Sequence, residues 1–349
     1  MANGKKVSLH DIAERIPCSA STVSLVLKGK GTQYRISGET QEKIRQTARE
    51  LGYFSKQDTL IADEEDTFIT IAVFLGLIDS NPINDMLKGI SEYPVHKGKR
   101  IEYSIHPYLP KRLCDYKPLL TGNKYDGVII TAVSQEDRDF ISSFDIKMPC
   151  VVMSAQIPGL NHVTADRIAC GALVADLFIR KGHKNVGVVT RNTLTNSGRL
   201  KTFGFTSTYE EAAIPGAKIT VIEDHTDGDY GLASMNELLE KTKNDPPTAI
   251  FVTEPNNFSG TINSLRNHNI KVPDDLDLVI FGSYTDNSIS MCISPSITTI
   301  AYPIDKMMYD SVELICHQLD GGVLHGVSKV HSSQFVFRES CLPPESWGR

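Results

Sequence analysis

From residue 68 onward, short apolar runs alternate with stretches of helical length, and this alternation constrains the fold more than any other feature. The runs are ITIAVFL (69–75), DGVIITA (126–132), CVVMSA (150–155), VGVVT (186–190), AIFVT (249–253) and LDLVIFG (276–282). Between several of them lie helix-length segments at 168–181, 199–213, 230–243 and 258–268. A strand that is apolar on both faces must be covered on both, and strand–helix alternation achieves this with helices flanking a parallel sheet. A stretch of roughly 280 residues is more than one such core usually holds, so two lobes are expected. Open α/β sheets bind ligands beyond the carboxyl ends of their strands, which makes a cleft between facing lobes the natural ligand site.

Charge sets the first part of the chain apart. The 349 residues carry a formal net charge of −6, an average that argues against a nucleic-acid binder. Residues 1–56, however, hold ten Lys/Arg against five Asp/Glu, a net of +5. The next ten residues, QDTLIADEED (57–66), hold five acids and no base. Such a break, in a stretch without sustained periodicity, marks a domain boundary and a linker. Polyanion binding therefore belongs to the small N-terminal module. No run of eighteen apolar residues occurs and no apolar signal core follows the N-terminal lysines, so a cytoplasmic protein without a membrane partner is expected. The seven cysteines are scattered and never in C-x-x-C spacing, so neither a disulfide framework nor a zinc site is suggested, and they read as small buried hydrophobes.

Within the module, Leu9, Ile12, Ala13 and Ile16 recur at helical spacing after Ser8, a good N-cap, and Pro17 stops that helix. Ser19 is placed to cap a second helix from Ala20 to about Lys28, with Val23, Val26 and Leu27 inward and Ala20, Ser21, Ser24 and Leu25 outward. A third begins at Ser37, runs through Ile44, Ala48 and Leu51, and ends at Gly52. The first two fit a helix-turn-helix, whose second helix enters the major groove with its first residues at base edges. Ala20, Ser21 and Leu25 are then the readers. Spacing alone fits a generic three-helix bundle with a solvated basic face equally well.

The wording of the segment decides between them. VSLHDIAERIPCSASTVSLVLKGKGTQYRISGETQEKIRQTARELGY closely resembles the DNA-binding headpiece of the LacI/GalR (lactose-repressor) family. The family's V-T-L-x-D-V-A start corresponds to Val7–Ala13, its V-S-x-x-T-V-S-R recognition helix to Cys18–Leu25, and its third helix closing in L-x-Y to Ile36–Tyr53. The resemblance implies DNA contacts from Ser8, Ser19, Ala20, Ser21, Thr22, Ser24 and Leu25, with Lys28, Lys30 and Arg35 on phosphate. Two departures stand out. Leu25 replaces a frequent Arg, which would exchange a guanine edge for a thymine methyl, and the loop 29–35 is a few residues longer than usual. In the linker, the family's Y-x-P-N-x-x-A-R-x-L hinge helix becomes YFSKQDTLIA (53–62), with Leu60 or Ile61 as the candidate minor-groove wedge. The acids that follow favour a flexible or partly helical tether over a regular hinge helix.

The resemblance continues through VTADRIACGALVADLFIRKGHKNVGVVT, VPDDLDLVIFGSYTDNSISMCISPSITTIAYP and FVFRES, nearly to the end of the chain. It implies a small all-α helix-turn-helix headpiece followed by an α/β periplasmic-binding-protein-like core of two doubly wound parallel-sheet subdomains. The expected boundaries are 1–56 for the headpiece, 57–66 for the acidic linker and 67–345 for the effector-binding and dimerisation core. Within the core, the N-subdomain takes 67–164 and 296–325 and the C-subdomain 165–295 and 326–345, with three crossovers as the hinge. Effector-binding positions fall on Asn81, Asp166, Arg167, Lys201, Glu254 and Ser283. Lys201 replaces the family's ring-gripping Arg, Arg167 its Asn, Glu254-Pro255 its Asn-Asp pair, and Ser283-Tyr284 an acidic position. Lys offers a point charge where Arg offers a fork, so a changed effector, or none, fits as well as a sugar.

No phosphate-binding loop, dinucleotide turn, zinc-protease helix or nucleophile elbow is present, so no enzyme and no cofactor are expected. Asp274-Asp275 follows Val272-Pro273 in a turn, and His183 follows Gly182 at a helix end; both read as structural. The sequence thus reads as a homodimeric transcriptional regulator, a repressor, that binds a near-palindromic DNA operator under control of a small molecule in the cleft. The alternatives are a small-molecule binding protein without a DNA role, separable by deleting residues 1–56, and a DNA-binding regulator whose cleft binds no effector.

Overall fold

A computed structural model describes residues 8–27, 31–51, 68–78, 82–191, 196–224, 231–283, 293–322 and 326–347. The chain forms two compact units, residues 1–67 and 68–349.

The first unit has three helices, α1 (Leu9–Arg15), α2 (Ala20–Leu27) and α3 (Gly38–Glu50). Each starts at a hydroxyl that satisfies an otherwise free backbone N–H. Ser8 and Asp11 form a reciprocal capping box. Ser19 Oγ accepts from Thr22 N at 3.1 Å, and Ser37 Oγ accepts from Thr40 N at 3.2 Å. The helices close over Ile12, Ala13, Ile16, Val23, Val26, Ile44 and Ala48, with Leu9, Cys18, Ala20, Leu27, Ile36 and Leu51 packed around them. Gly52 and the linker 57–66 lie outside the described residues.

The second unit holds two sheets, each flanked by helices. The strands are β1 (Ile69–Gly76), β2 (Val95–His96), β3 (Lys99–Tyr108), β4 (Gly127–Ile130), β5 (Cys150–Met153), β6 (Asn161–Ala165), β7 (Asn185–Arg191), β8 (Lys218–Asp224), β9 (Ala249–Val252), β10 (Asp277–Ser283), β11 (Thr298–Tyr302), β12 (Ser328–His331) and β13 (Gln334–Val336). The helices are α4 (Ile83–Ser91), α5 (Lys117–Thr121), α6 (Gln135–Ser142), α7 (Arg167–Arg180), α8 (Ser197–Glu211), α9 (Leu232–Lys241), α10 (Phe258–Asn267) and α11 (Ile304–Leu319). One sheet runs β12-β6-β5-β4-β1-β3-β2 and the other β13-β11-β10-β9-β7-β8. Pairing is parallel except for β2 with β3 and β11 with β13.

Strand membership corrects the expected subdomain boundaries. Segment 296–325 was assigned to the first lobe, but β11 pairs with β10 in the second sheet. Segment 326–345 was assigned to the second lobe, but β12 pairs with β6 in the first. The reason is directional. A parallel strand ends at the carboxyl edge of its sheet, so the chain changes lobe after finishing a strand and not before starting one. The three passages therefore fall after Ala165, Tyr302 and His331, and Asp166 N donates to His331 O at 3.1 Å where two of them meet. Cys150, Cys170, Cys316 and Cys341 are buried as expected, whereas Cys114 is exposed.

Candidate nucleic-acid interface and ligand cleft

In the headpiece, α2 presents Ser21 to solvent, with Ser24 and Leu25 half-buried beside it. Ala20, expected to face outward, is half-buried and packs on the core, because the first turn of α2 closes against α1. The hydroxyls at the helix start are coupled: Ser19 Oγ lies 2.6 Å from Ser21 Oγ and 2.8 Å from Thr22 Oγ1. Ser8 is engaged in its capping box, with its own N–H donating to Asp11 Oδ2 at 2.7 Å. Arg35 is exposed on the turn before α3, while Lys28 and Lys30 lie outside the described residues. Next to Arg35, Tyr34 is 56% exposed.

The cleft residues come together in a different way. Gly171 on α7 and Gly204 on α8 let these helices touch backbone to backbone: a Cβ at 171 would lie 1.8 Å from Lys201 O, and one at 204 would lie 2.0 Å from Ile168 O. This contact drives the Lys201 side chain inward. Its Nζ sits 3.1 Å from Glu254 Oε1, with side-chain exposures of 0% and 8%, and 3.5 Å from the Phe281 ring centroid. Burial holds the Lys201 ammonium below its usual range, against the opposing pull of Glu254. The two groups form a close ion pair over an aromatic face.

Arg167 reaches the other lobe. Its Nη2 donates to Ser154 O at 2.8 Å and its Nη1 to Thr164 Oγ1 at 3.5 Å. Asp166 accepts from Ala169 N at 2.8 Å and so caps α7. Ser283 ends β10 in register with Tyr302. Asn81 lies outside the described residues. Four groups that sequence reasoning missed, Phe281, Tyr302, Cys170 and Ser333, complete the cluster. Burial raises the Tyr302 hydroxyl far above its ordinary range, with Cys170, Arg167 and Glu254 in electrostatic reach. Burial likewise raises the Cys170 thiol, opposed by Lys201, with Ser333 and Tyr302 beside it. Phe281 and Tyr302 stand at carboxyl ends of strands, a position that would have flagged them; Ser333 lies in the third passage between lobes.

Buried polar atoms without a hydrogen-bond partner gather here: Arg167 Nε, Lys201 Nζ, Glu254 Oε1, Tyr302 OH and Ser333 Oγ. Lys201 Nζ and Glu254 Oε1 answer each other as the ion pair, and Tyr302 and Ser333 lie against the Cys170 thiol, so the cluster is a buried polar network largely satisfied from within. Elsewhere the structural readings fit: His183 bridges Thr248 Oγ1 at 2.9 Å and Asp277 Oδ2 at 2.7 Å, and Asp275 Oδ2 accepts from Lys271 N at 2.7 Å. Among the described residues no helix is long and apolar enough to cross a membrane.

The model for bacterial regulatory proteins of the lacI family matches residues 8–55, and that for a periplasmic binding protein-like domain matches residues 175–341. The chain is 27% identical over 310 residues to the HTH-type transcriptional regulator DegA of Bacillus subtilis, covering 86% of this chain and 88% of that one. It is 24% identical over 337 residues to the ribose operon repressor of Haemophilus influenzae, covering 95% and 98%. Among solved structures it resembles the lac repressor dimer bound to operator and the anti-inducer ONPF, with a TM-score of 0.71, 20% identity and coverage of 97% and 100%.

Proposed function

The chain belongs to the lacI family of bacterial regulatory proteins, and from that premise we propose that it is a sequence-specific repressor that binds a near-palindromic operator as a homodimer. Its curated relatives are transcriptional regulators and not enzymes. The observation that carries the reading is the α1–α2 pair, capped by hydroxyls and exposing Ser21, in a segment of net charge +5 joined to a two-lobed core. In such a pair the second helix reads base edges, while hydroxyls and cations fix its register on phosphate. One headpiece reads only a half-site. Tethering two makes the second contact intramolecular and raises affinity without new contacts, hence the dimer and the palindrome. The proposed division is headpiece 1–56, linker 57–66 and core 67–345, acting in the cytoplasm where the DNA is. The proposed DNA contacts are Ser8, Ser19, Ala20, Ser21, Thr22, Ser24, Leu25, Lys28, Lys30 and Arg35.

A small polar effector in the cleft is the second part of the proposal. It rests on the buried polar cluster of Lys201, Glu254, Arg167, Tyr302 and Ser333 at the carboxyl ends of the strands and the passages between lobes, with Asn81, Asp166 and Ser283 beside them in the resemblance. Related structures are described with bound cellobiose and ribose, which supports a sugar or related metabolite. An effector shifts headpiece affinity only by as much as it distinguishes the lobe arrangements. One observation favours a regulator without effector: Lys201 is already neutralised by Glu254, and Arg167 is already bonded to Ser154.

The direct experiment titrates the full-length protein against its own upstream promoter DNA at two salt concentrations. Specific retention over random duplex is expected, and equal binding to both sinks the reading. Melting in the presence of a panel of sugars and metabolites decides the second part: an effector raises the melting temperature with its concentration over Kd, and a flat panel favours the empty cleft.

A further inference from the structure

The first sheet carries a cavity of about 300 Å³ at the amino ends of β5 and β6, whereas Ser154 and Arg167 lie at the carboxyl ends of the same strands. That volume falls at the lower end of the range of small-molecule pockets. The walls come from the turn before β5 (Ile146, Lys147, Met148), the turn before β6 (Gly159, Leu160) and the end of α11 (Gln318, Gly321), with Cys150 at the start of β5. Ile146 and Cys150 are buried and Met148 and Leu160 half-buried, so much of the lining is apolar. Burial pushes the Cys150 thiol up to about 12, which keeps it uncharged.

Asn161, the first residue of β6, also lines the cavity and is only 1% exposed. Its Oδ1 accepts from Val327 N at 3.0 Å, just ahead of β12, and His162 N donates to Val327 O at 2.8 Å. This strap fixes which way round the amide lies, because only its oxygen can accept from a backbone N–H. Nδ2 is left as the donor, and it has no partner among the described residues. A buried donor left unmade costs stability, and an acceptor brought in by a ligand recovers it.

The surrounding charges select against ions of either sign. Helix α11 ends here after 16 residues, and its carbonyl end is a negative pole that disfavours an anion. Lys147 disfavours a cation, yet it is exposed and too well screened to hold an anion against the helix end.

We propose that this cavity is a second small-molecule site, separate from the cleft, for an uncharged molecule with a compact apolar body and a carbonyl that accepts from Asn161 Nδ2. Strands β6 and β12, tied together at Asn161 and Val327, end at Ala165 and His331, two of the three passages between lobes. A molecule seated here therefore touches the strands that lead to the hinge. The site depends neither on the operator reading nor on an effector in the cleft.

The test titrates full-length protein by calorimetry with benzamide, and with benzoate and benzylamine as its ring-matched anion and cation. Benzamide should saturate one site per chain with Kd on the order of 1 mM, the range open to so small a molecule, and both charged probes should bind about tenfold more weakly. Asn161→Asp keeps the acceptor for Val327 N and exchanges the donor for an oxygen. It should weaken benzamide about tenfold, the yield of one hydrogen bond, and put benzylamine ahead of it. Met148→Trp fills the space and should abolish benzamide binding in a chain whose melting shows it folded. No saturable benzamide binding to the wild type, equal binding of the three probes, or wild-type benzamide affinity in either folded variant overturns the proposal. Should Asn161→Asp not fold, Met148→Trp and the three wild-type titrations still decide the matter.

Discussion

The headpiece and the cleft handle polar chemistry in opposite ways. In the headpiece the candidate contact groups lie at the surface: Ser21 and Arg35 are exposed, and the buried positions are almost all aliphatic. In the cleft the candidate groups are themselves buried, with Lys201 wholly enclosed between Glu254 and Phe281. Under the proposed function the difference is one of partner. A surface that meets a large polyanion need only present donors and charge, because phosphate spacing and base edges supply the geometry. A pocket for a small molecule must exclude water and prearrange each polar atom, and so it places charge where charge is costly. Substitutions should therefore affect function in the headpiece before stability, and stability in the cleft before function.

The largest effect is expected at the ion pair. Glu254→Ala leaves the Lys201 ammonium buried without its counter-charge and should cost about 3–5 kcal/mol in denaturant unfolding of the core. Replacing both partners by Met should cost less than either single change, since no charge then remains to be buried. A single-substitution loss below about 1 kcal/mol, the range of a surface pair, would mean that the pair is solvated and the contrast is wrong.

Next in size are the glycines that press Lys201 inward. Gly171→Ala and Gly204→Ala each place a Cβ against a carbonyl of the facing helix, at 1.8 and 2.0 Å before relaxation. Prising α7 from α8 should cost about 1–3 kcal/mol and expose Lys201, read as faster reaction of its amine with an acylating reagent. Unchanged stability and reactivity would remove the helix contact as the cause of burial.

Smaller again is the cap of the recognition helix. Ser19→Ala removes the acceptor for Thr22 N and should cost the headpiece about 1 kcal/mol without moving the melting of the core. A shift in both transitions would show that the two units do not melt separately.

The smallest effect concerns acid. Burial would raise the Asp277 carboxyl, but hydrogen bonds and charge from His183 and Lys181 outweigh it and hold it below its usual range. A depressed carboxylate contributes stability that is present above the unfolded value, about 3.9, and is lost as pH falls through the folded one. The core should therefore weaken more steeply below about pH 4 in the wild type than in Asp277→Asn. Parallel acid profiles for the two proteins would exclude this contribution.

How legible each part was follows from burial. The central strands β1, β4, β5 and β9 are almost wholly buried and appear in the sequence as continuous apolar runs. The outer strands β3, β8, β12 and β13 face water on part of their length and mix charge with apolar residues, so no run announces them. Strands β6 and β11 are buried yet carry Asn, His and Thr, and polarity hid them. The four helices expected between the runs lie within a few residues of their places. The lobe boundaries at 296 and 326 were misread because sequence order does not show which sheet a strand joins.

The amino-acid sequence by itself determined what local physics controls: three capped helices around an aliphatic core, a basic module ahead of an acidic stretch, and apolar strands that need helices on both faces. Its motifs also carried the family. Only the tertiary structure decided that Lys201 is neutralised by Glu254 above Phe281 and that Arg167 bonds to Ser154 in the other lobe. Caps and periodicity act over a few residues and leave a local mark on composition. Ion pairs and straps join residues far apart in the chain, and no local pattern records which charge will meet which.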